Sequence, residues 1–445
     1  MSAAPGFVLA GGDLHASLEN PVLGSVAFLN EVMTRYPSAI SFAPGAPHLA
    51  HLADVDVTAY AARYERHLVE DRGTTAERAR NLLHEYGPSR GLINDLIAAA
   101  LRHDQGIDVP PRSVVVTVGA QEAMLLTLRA LCRSRDDLLA VVEPAYVGMT
   151  GAARLLDVDL VPVPETADGV DLDALRGACA AARKRGRRIR ALYVAPDYSN
   201  PSGSVLDLET RQRLLAVADH DDLVLIEDSA YGFTAPPGHA LPSLKALDTD
   251  CRVVHLGTFA KVCLPGARVG FAVADQPVVR ADGTEGVLAD DLAVLKGMVT
   301  VNTSPLCQAV IGGMLLAHGG SLAALGDATS AHYRRNLAHL LAALDRELGG
   351  ATPPGVRWNS PSGGFFVRVR LPVRVDTALL EWCATEFGVL WTPMEHFYLS
   401  GGGTDELRLS CSYLTLDRID EGIGRFAEFL REVAGPPRRG RRALP

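Results

Sequence analysis

The sequence predicts an α/β fold, with a mostly parallel, seven-stranded-type sheet in a large domain and a smaller α+β domain after it. Three observations carry this. From about residue 80 onward, short apolar runs rich in β-branched residues alternate with longer helical patterns, as expected of strands covered on both faces. The chain has 445 residues, 48% of them hydrophobic, enough for two or three structural units around a large core. After "PPGV" at 353–356 the texture changes to shorter strands around one helix. The expected divisions are 1–50 as an N-terminal arm or part of the small domain, 51–330 as the large domain, and 331–434 as the small one. The last stretch, "GPPRRGRRALP" at 435–445, reads as a solvated, disordered tail.

Each element rests on a quoted stretch. The large-domain strands are "SVVVTV" (113–118), "LLAVVEP" (138–144), "RALYVAP" (190–196), "LVLIED" (223–228) and "RVVHLGT" (252–258). Residues 306–348 read as helical throughout, with an amphipathic stripe in "NLAHLLAALDREL" (336–348). The small domain is expected to use "FFVRVRLP" (365–372) and "ELRLSCSY" (406–413) as strands with a helix between them. In open sheets of this kind, ligands sit beyond the carboxyl ends of the strands, and the polar residues singled out below follow such runs.

The balance of 43 Lys and Arg against 52 Asp and Glu, net −9, argues against nucleic acid as a partner. Seven scattered cysteines without a C-x-x-C pair point to reduced thiols, with neither a disulfide framework nor a metal site. The start lacks a signal peptide, and no apolar run approaches the roughly 20 residues that span a bilayer. A cytoplasmic protein without membrane contact is expected. The basic run "RKRGRRIR" (183–190) reads as an anion-attracting patch or, more plainly, as a charged helix end before a strand.

The chemistry concentrates around "GTFAKVCLPGARVGF" (257–271), where Lys261 lies three residues after Thr258 and seven before Arg268. A lysine that attacks a carbonyl must be neutral, which needs desolvation or nearby positive charge. Apolar neighbours and Arg268 supply both, and Thr258 and Arg268 are donors suited to a phosphate. In "TVGAQEAMLLTLRALC" (117–132), Gly119 makes a strand-to-helix turn, and the N–H groups of Ala120 and Gln121 open a helix where an anion is favoured. In "VLIEDSAYGF" (224–233), Asp228 either caps a helix or pairs with the protonated ring nitrogen of a pyridinium cofactor, with Tyr231 able to reach a ring hydroxyl. Asn200, in "APDYSNPSG" (195–203), is placed to donate to a phenolic oxygen. Tyr146, in "VEPAYVG" (142–148), either stacks on a flat cofactor or fills the core.

Taken in this order, these stretches resemble the fold-type-I pyridoxal-phosphate enzymes, most closely the class I/II aminotransferases of the aminoadipate and multi-substrate kind. The resemblance runs from "ISFAPGAP" (40–47) through "YGPSRGL" (86–92) to "LRLSCSY" (407–413). It implies pyridoxal 5'-phosphate held by Lys261 as a Schiff base, with Lys261 later moving the substrate proton. Asp228 then pairs with the ring nitrogen, Asn200 and Tyr231 with the ring oxygen, and Tyr146 stacks on the ring. Gly119, Ala120, Gln121, Thr258 and Arg268 hold the phosphate, and Tyr86 reaches the phosphate of a neighbouring subunit in a homodimer. Arg408 grips the substrate α-carboxylate, with Gly45 and Asn200 beside it. The implied activity is transfer of an α-amino group from an L-amino acid to a 2-oxo acid.

Three places depart from the family pattern. Ala260 stands where serine is common, and "VLWTPMEHFYLSGGG" (389–403) has Met394 where glycine is expected, with Glu395 and His396 beside it on the substrate side. The segment 46–85 is longer than usual. These departures keep two alternatives open. One is a different reaction on the same cofactor: elimination, replacement, cyclisation or oxidation at Cα, Cβ or Cγ. The other is an aminotransferase-like ligand-sensing regulator, although nothing ahead of residue 40 reads as a helix-turn-helix.

Overall fold

A computed structural model describes residues 7–167, 169–350, 352–399 and 401–434; the expected tail at 435–445 lies outside them. Seven strands form the large sheet: β1 Val114–Thr117, β2 Asp137–Glu143, β3 Leu160–Pro164, β4 Arg188–Val194, β5 Val224–Ser229, β6 Val253–Thr258 and β7 Gly270–Val273. Their spatial order is β1-β7-β6-β5-β4-β2-β3. All pairs are parallel except those of β7, which runs antiparallel to both neighbours. The expected mostly parallel, seven-stranded sheet is therefore present, with β3 and β7 as the two strands that the five quoted runs do not mark.

Alternation along the strands sorts side chains onto two faces. Ala191, Tyr193, Val224, Ile226, Val254 and Leu256 enter one core with the helix Gly119–Leu131. Leu192, Val194, Leu225 and Val253 enter another on the opposite face, with the helices Leu172–Lys184 and Leu208–Asp221. The same parity sends Asp228 and Thr258 to the first face and Glu227 to the second. There Glu227 accepts from the N–H groups of Leu244 and Lys245 at 2.7 and 3.0 Å and from His255 at 2.9 Å. The consecutive pair Glu227-Asp228 thus splits between a structural anchor and the site.

A second, four-stranded antiparallel sheet contains Phe366–Arg370 and Glu406–Ser410, with the helix Thr377–Glu386 between them in sequence. The N-terminal segment joins this part: Ile40–Ser41 pairs in parallel with Val389–Leu390, and Val32, Ile40 and Phe42 enter its core. The expectation of one helix over 306–348 is corrected. Pro305–Ala317 and Leu322–Leu348 are separate, because Gly319 and Gly320 turn the chain at φ +66° and +75°. The second of these helices runs unbroken through residue 330.

The segment 46–85 contains two helices, Val57–Glu70 and Ala76–His84, and Tyr64 of the first packs on Gly312 of the helix Pro305–Ala317. The basic run 183–190 is largely neutralised within the fold. Arg183 pairs with Asp221 at 2.9 Å, Arg187 with Asp159 at 2.7 Å and Arg188 with Asp137 at 2.6 Å. That favours the charged-helix-end reading over an anion site. No single helix among the described residues is long and apolar enough to cross a membrane.

Candidate active site

Lys261 follows β6 by three residues and lies within electrostatic reach of Asp228 at the end of β5 and of Arg268 and Arg408. The Lys261 Nζ donates to the carbonyl of Gly45 at 2.6 Å, so the N-terminal segment closes over it. Burial holds the Lys261 ammonium down to about 8, the guanidinium groups of Arg408 and Arg268 push the same way, and the Asp228 carboxylate opposes them. The neutral amine needed for attack is therefore well populated near pH 8. This sets an expected result for the cofactor-free protein. Its rate of covalent reaction with pyridoxal phosphate climbs about tenfold per pH unit below 8 and flattens above it, whereas an ordinary lysine near 10.4 gives a climb that continues past pH 10. Stopped-flow absorbance from pH 6 to 10 distinguishes the two.

Asp228, at the end of β5, is buried and accepts from the Tyr193 hydroxyl through Oδ2 at 2.6 Å. Its Oδ1 is fully buried and has no hydrogen-bond partner. Burial lifts this carboxyl to about 6, against the hydrogen bond from Tyr193 and the nearby His255 and Lys261. A buried carboxylate with one oxygen unsatisfied is costly unless a cationic donor meets it. A protonated pyridine nitrogen is such a donor, so the residues fit pyridoxal phosphate at this end.

They fit at the phosphate end as well. Gly119 starts the helix Gly119–Leu131 at φ +73°, and a Cβ there would lie 2.5 Å from Nη2 of Arg268. Only glycine leaves the guanidinium room to lie over the helix N-terminus, where free N–H groups already favour an anion. The Thr258 hydroxyl faces the same loop and accepts from the Ala260 N–H at 3.1 Å. The Gln121 side chain donates to the Gly148 carbonyl at 2.7 Å, in the helix Val147–Leu155, while its backbone N–H lies in the first turn of the helix Gly119–Leu131.

Arg408, on the second sheet, is 4% exposed and points into the same space. Nη1 donates to Asn200 Oδ1 at 2.6 Å, and Nη2 donates to the Ala43 carbonyl at 2.8 Å and Thr392 Oγ1 at 3.2 Å. With its carbonyl oxygen occupied, Asn200 presents its amide N–H groups to the site. Phe366 and Phe397 cover the guanidinium at 4.3 and 5.2 Å, and burial brings it down to about 10. Phe366 also meets Tyr231 edge-on at 5.5 Å and approaches Gly45 so closely that a Cβ there would sit 2.7 Å from its ring. Tyr146 is the residue before the helix Val147–Leu155 and lies within electrostatic reach of Asp228, Arg408 and Arg268.

The structure therefore brings Gly45, Gly119, Ala120, Gln121, Tyr146, Asn200, Asp228, Tyr231, Thr258, Lys261, Arg268 and Arg408 around one space. Tyr86 stands apart, 85% exposed on the surface. In the departing segment, Met394 is buried, and the ring over Arg408 belongs to Phe397 of the turn Glu395–Phe397. Sequence reasoning missed Tyr193, Phe366 and Phe397. For Tyr193 a signal existed: it shares the strand face that carries Asp228 two registers on, since Tyr193 pairs with Ile226.

A lysine of lowered basicity, a buried carboxylate with one free oxygen and a helix-terminal anion cradle together define a Schiff-base enzyme of the pyridoxal-phosphate class. Residues 53–426 match the family model for aminotransferases of class I and II, and the chain belongs to that family. It is 47% identical over 417 residues to the (S)-3,5-dihydroxyphenylglycine transaminase of Amycolatopsis orientalis, covering 94% of this chain and 93% of that protein. The multiple substrate aminotransferase of Thermococcus profundus superposes with a TM-score of 0.79 at 25% identity, covering 95% and 98% of the two chains. The α-aminoadipate aminotransferase LysN of Thermus thermophilus, solved with N-(5'-phosphopyridoxyl)-L-leucine, gives a TM-score of 0.74 at 29% identity, covering 94% and 99%. The protein is a pyridoxal-phosphate-dependent aminotransferase of fold type I, an enzyme of amino-acid metabolism.

Proposed function

We propose that this aminotransferase takes an aromatic amino acid of the arylglycine type, with a 2-oxo acid as the partner in amino transfer. The 47% identity to the dihydroxyphenylglycine transaminase over nearly the full chain carries this reading. The aromatic groups Phe366, Phe397 and Tyr231 around Arg408 support it, since they offer flat apolar surface beside a carboxylate receptor.

Bound pyridoxal phosphate supplies an electron sink for negative charge at the substrate Cα. The chain's own residues do the rest. Arg408 meets the substrate carboxylate with its planar fork, held between two rings so that little freedom is lost on binding. Lys261 holds the cofactor through Nζ and, when substrate displaces it, takes the Cα proton as a base of suitable strength. Asp228, through its buried and unpartnered Oδ1, would keep a proton on the ring nitrogen. Asn200 and Tyr231 would donate to the ring oxygen, and Tyr146 would pack against the ring. Gly119, Ala120, Gln121, Thr258 and Arg268 hold the phosphate.

Mixing the enzyme with (S)-3,5-dihydroxyphenylglycine, phenylalanine or 2-aminoadipate, each without oxo acid, tests the substrate reading. Stoichiometric loss of cofactor absorbance is expected at the lowest concentration with the arylglycine. If 2-aminoadipate reacts with the higher kcat/KM, the arylglycine assignment is wrong.

The active unit in this reading is a homodimer in which Tyr86 reaches the phosphate of the other subunit. Support comes from an exposed apolar patch formed by Val294, Met298, Val299, Val301 and Leu306, next to Tyr86. Gly87 lies against Pro305 and Asn302, which makes the patch continuous with that tyrosine. Changing Val294 and Met298 to glutamate is expected to give a monomer by light scattering that loses cofactor on gel filtration; a cofactor-replete monomer would refute the shared site. The chain divides functionally into a cofactor-binding domain over 51–330 and a smaller domain over 331–434 that takes in 1–50, with Leu322–Leu348 bridging them. Seven free cysteines are consistent with a reducing cytoplasm as its location.

A further inference from the structure

We infer that Tyr193 is a positioning residue that acts through Asp228, fixing which carboxylate oxygen faces the cofactor and keeping the shared proton on the ring nitrogen. This rests on the reading that Asp228 pairs with that nitrogen. Tyr193 lies in the middle of the sheet, on β4, with 2% exposure. Its register opposite Ile226 carries the hydroxyl along the same face to Asp228, where it donates to Oδ2 at 2.6 Å. Oδ1 is left as the one oxygen of that carboxylate without a partner, and it is buried. The carboxylate therefore has one free direction of interaction, and the phenol has already chosen it.

The second consequence is electronic. A hydrogen bond donated to a carboxylate stabilises its charged form and weakens it as a base. Between a pyridine nitrogen and a carboxylate, the proton resides on whichever is the stronger base. Without the phenol, Asp228 regains basicity in a dry setting that already favours its neutral form, and the proton moves toward Oδ1. The ring nitrogen then loses positive charge. Burial and the Asp228 charge keep the Tyr193 hydroxyl protonated, so it remains a donor throughout.

Tyr193→Phe removes one oxygen and keeps the packing. Holoenzyme loaded with pyridoxal phosphate labelled with nitrogen-15 in the ring reports protonation directly through its chemical shift. In Tyr193→Phe the signal is expected to move toward the unprotonated value, with kcat lower by about 10-fold or more, as for loss of a hydrogen bond to a charged group, and KM nearly unchanged. 3-Fluorotyrosine installed at position 193 keeps the donor, strengthens it and disturbs packing slightly. Its signal is expected to stay at the wild-type value or move further toward the protonated one.

Asp228→Asn separates the two ideas. If that variant leaves the signal in place, the pairing of Asp228 with the ring nitrogen is itself wrong. If Asp228→Asn moves the signal while Tyr193→Phe does not, the role of Tyr193 falls alone. A fluorotyrosine enzyme whose signal moves toward the unprotonated value assigns the effect to packing and overturns the proposal, and it does so even if Tyr193→Phe does not fold.

Discussion

Lys261→Ala is expected to lower kcat/KM by at least about 10,000-fold, the combined loss of a covalent anchor and a general base. The variant also loses the visible absorbance of the bound cofactor, and borohydride no longer fixes a pyridoxyl group to the chain. The reason for so large an effect lies in what surrounds Nζ. Burial and two guanidinium groups lower its basicity, and the Gly45 carbonyl holds it at 2.6 Å. No other described lysine has that setting: Lys296 is spent on Glu122 at 2.6 Å and Lys245 on Asp275 at 2.7 Å. Steady-state kinetics with mass spectrometry after borohydride treatment checks this result. Wild-type labelling in Lys261→Ala would place the covalent link elsewhere.

Arg408→Ala is the second large effect, with kcat/KM down by roughly 100- to 1,000-fold, mostly through KM, as for truncation of one partner in a buried charged contact. The guanidinium is held by Asn200, Ala43 and Thr392 and flanked by two phenyl rings. Its loss removes the carboxylate receptor and also releases Asn200, whose orientation depends on it, so some fall in kcat accompanies the rise in KM. Arg408→Lys keeps the charge without the fork, and recovery of at most about 10-fold is expected. Substrate saturation curves for the three enzymes decide the matter. A KM unchanged in Arg408→Ala would show that the substrate carboxylate binds elsewhere.

Much of this site was legible in the chain because its parts are local. A strand that ends in Asp228, a glycine turn ahead of a helix at 119, and Thr258, Lys261 and Arg268 within eleven residues each declare their chemistry over a short span. The Glu227-Asp228 pair was less transparent. Both are acids at the end of one strand, and only the alternation of strand faces, once the sheet is assembled, sends one to the site and the other to His255. The two strands that no quoted apolar run marked have a similar explanation. Leu160–Pro164 is an edge strand with two prolines, and Gly270–Val273 runs against its neighbours, so neither shows the long apolar run of a central parallel strand.

Residue types and short spacings alone determined the α/β class and drew attention to Lys261 and the donors Thr258 and Arg268 near it, because those follow from backbone periodicity and from the chemistry of groups close in the chain. The meeting of distant groups was settled only by folding. Lys261 finds Gly45 across 216 positions, and Arg408 finds Asn200 across 208. Tyr193 reaches Asp228 because two parallel strands align in one register. Such contacts arise from the burial of whole elements against each other, a property of the packed chain that no short stretch of it contains.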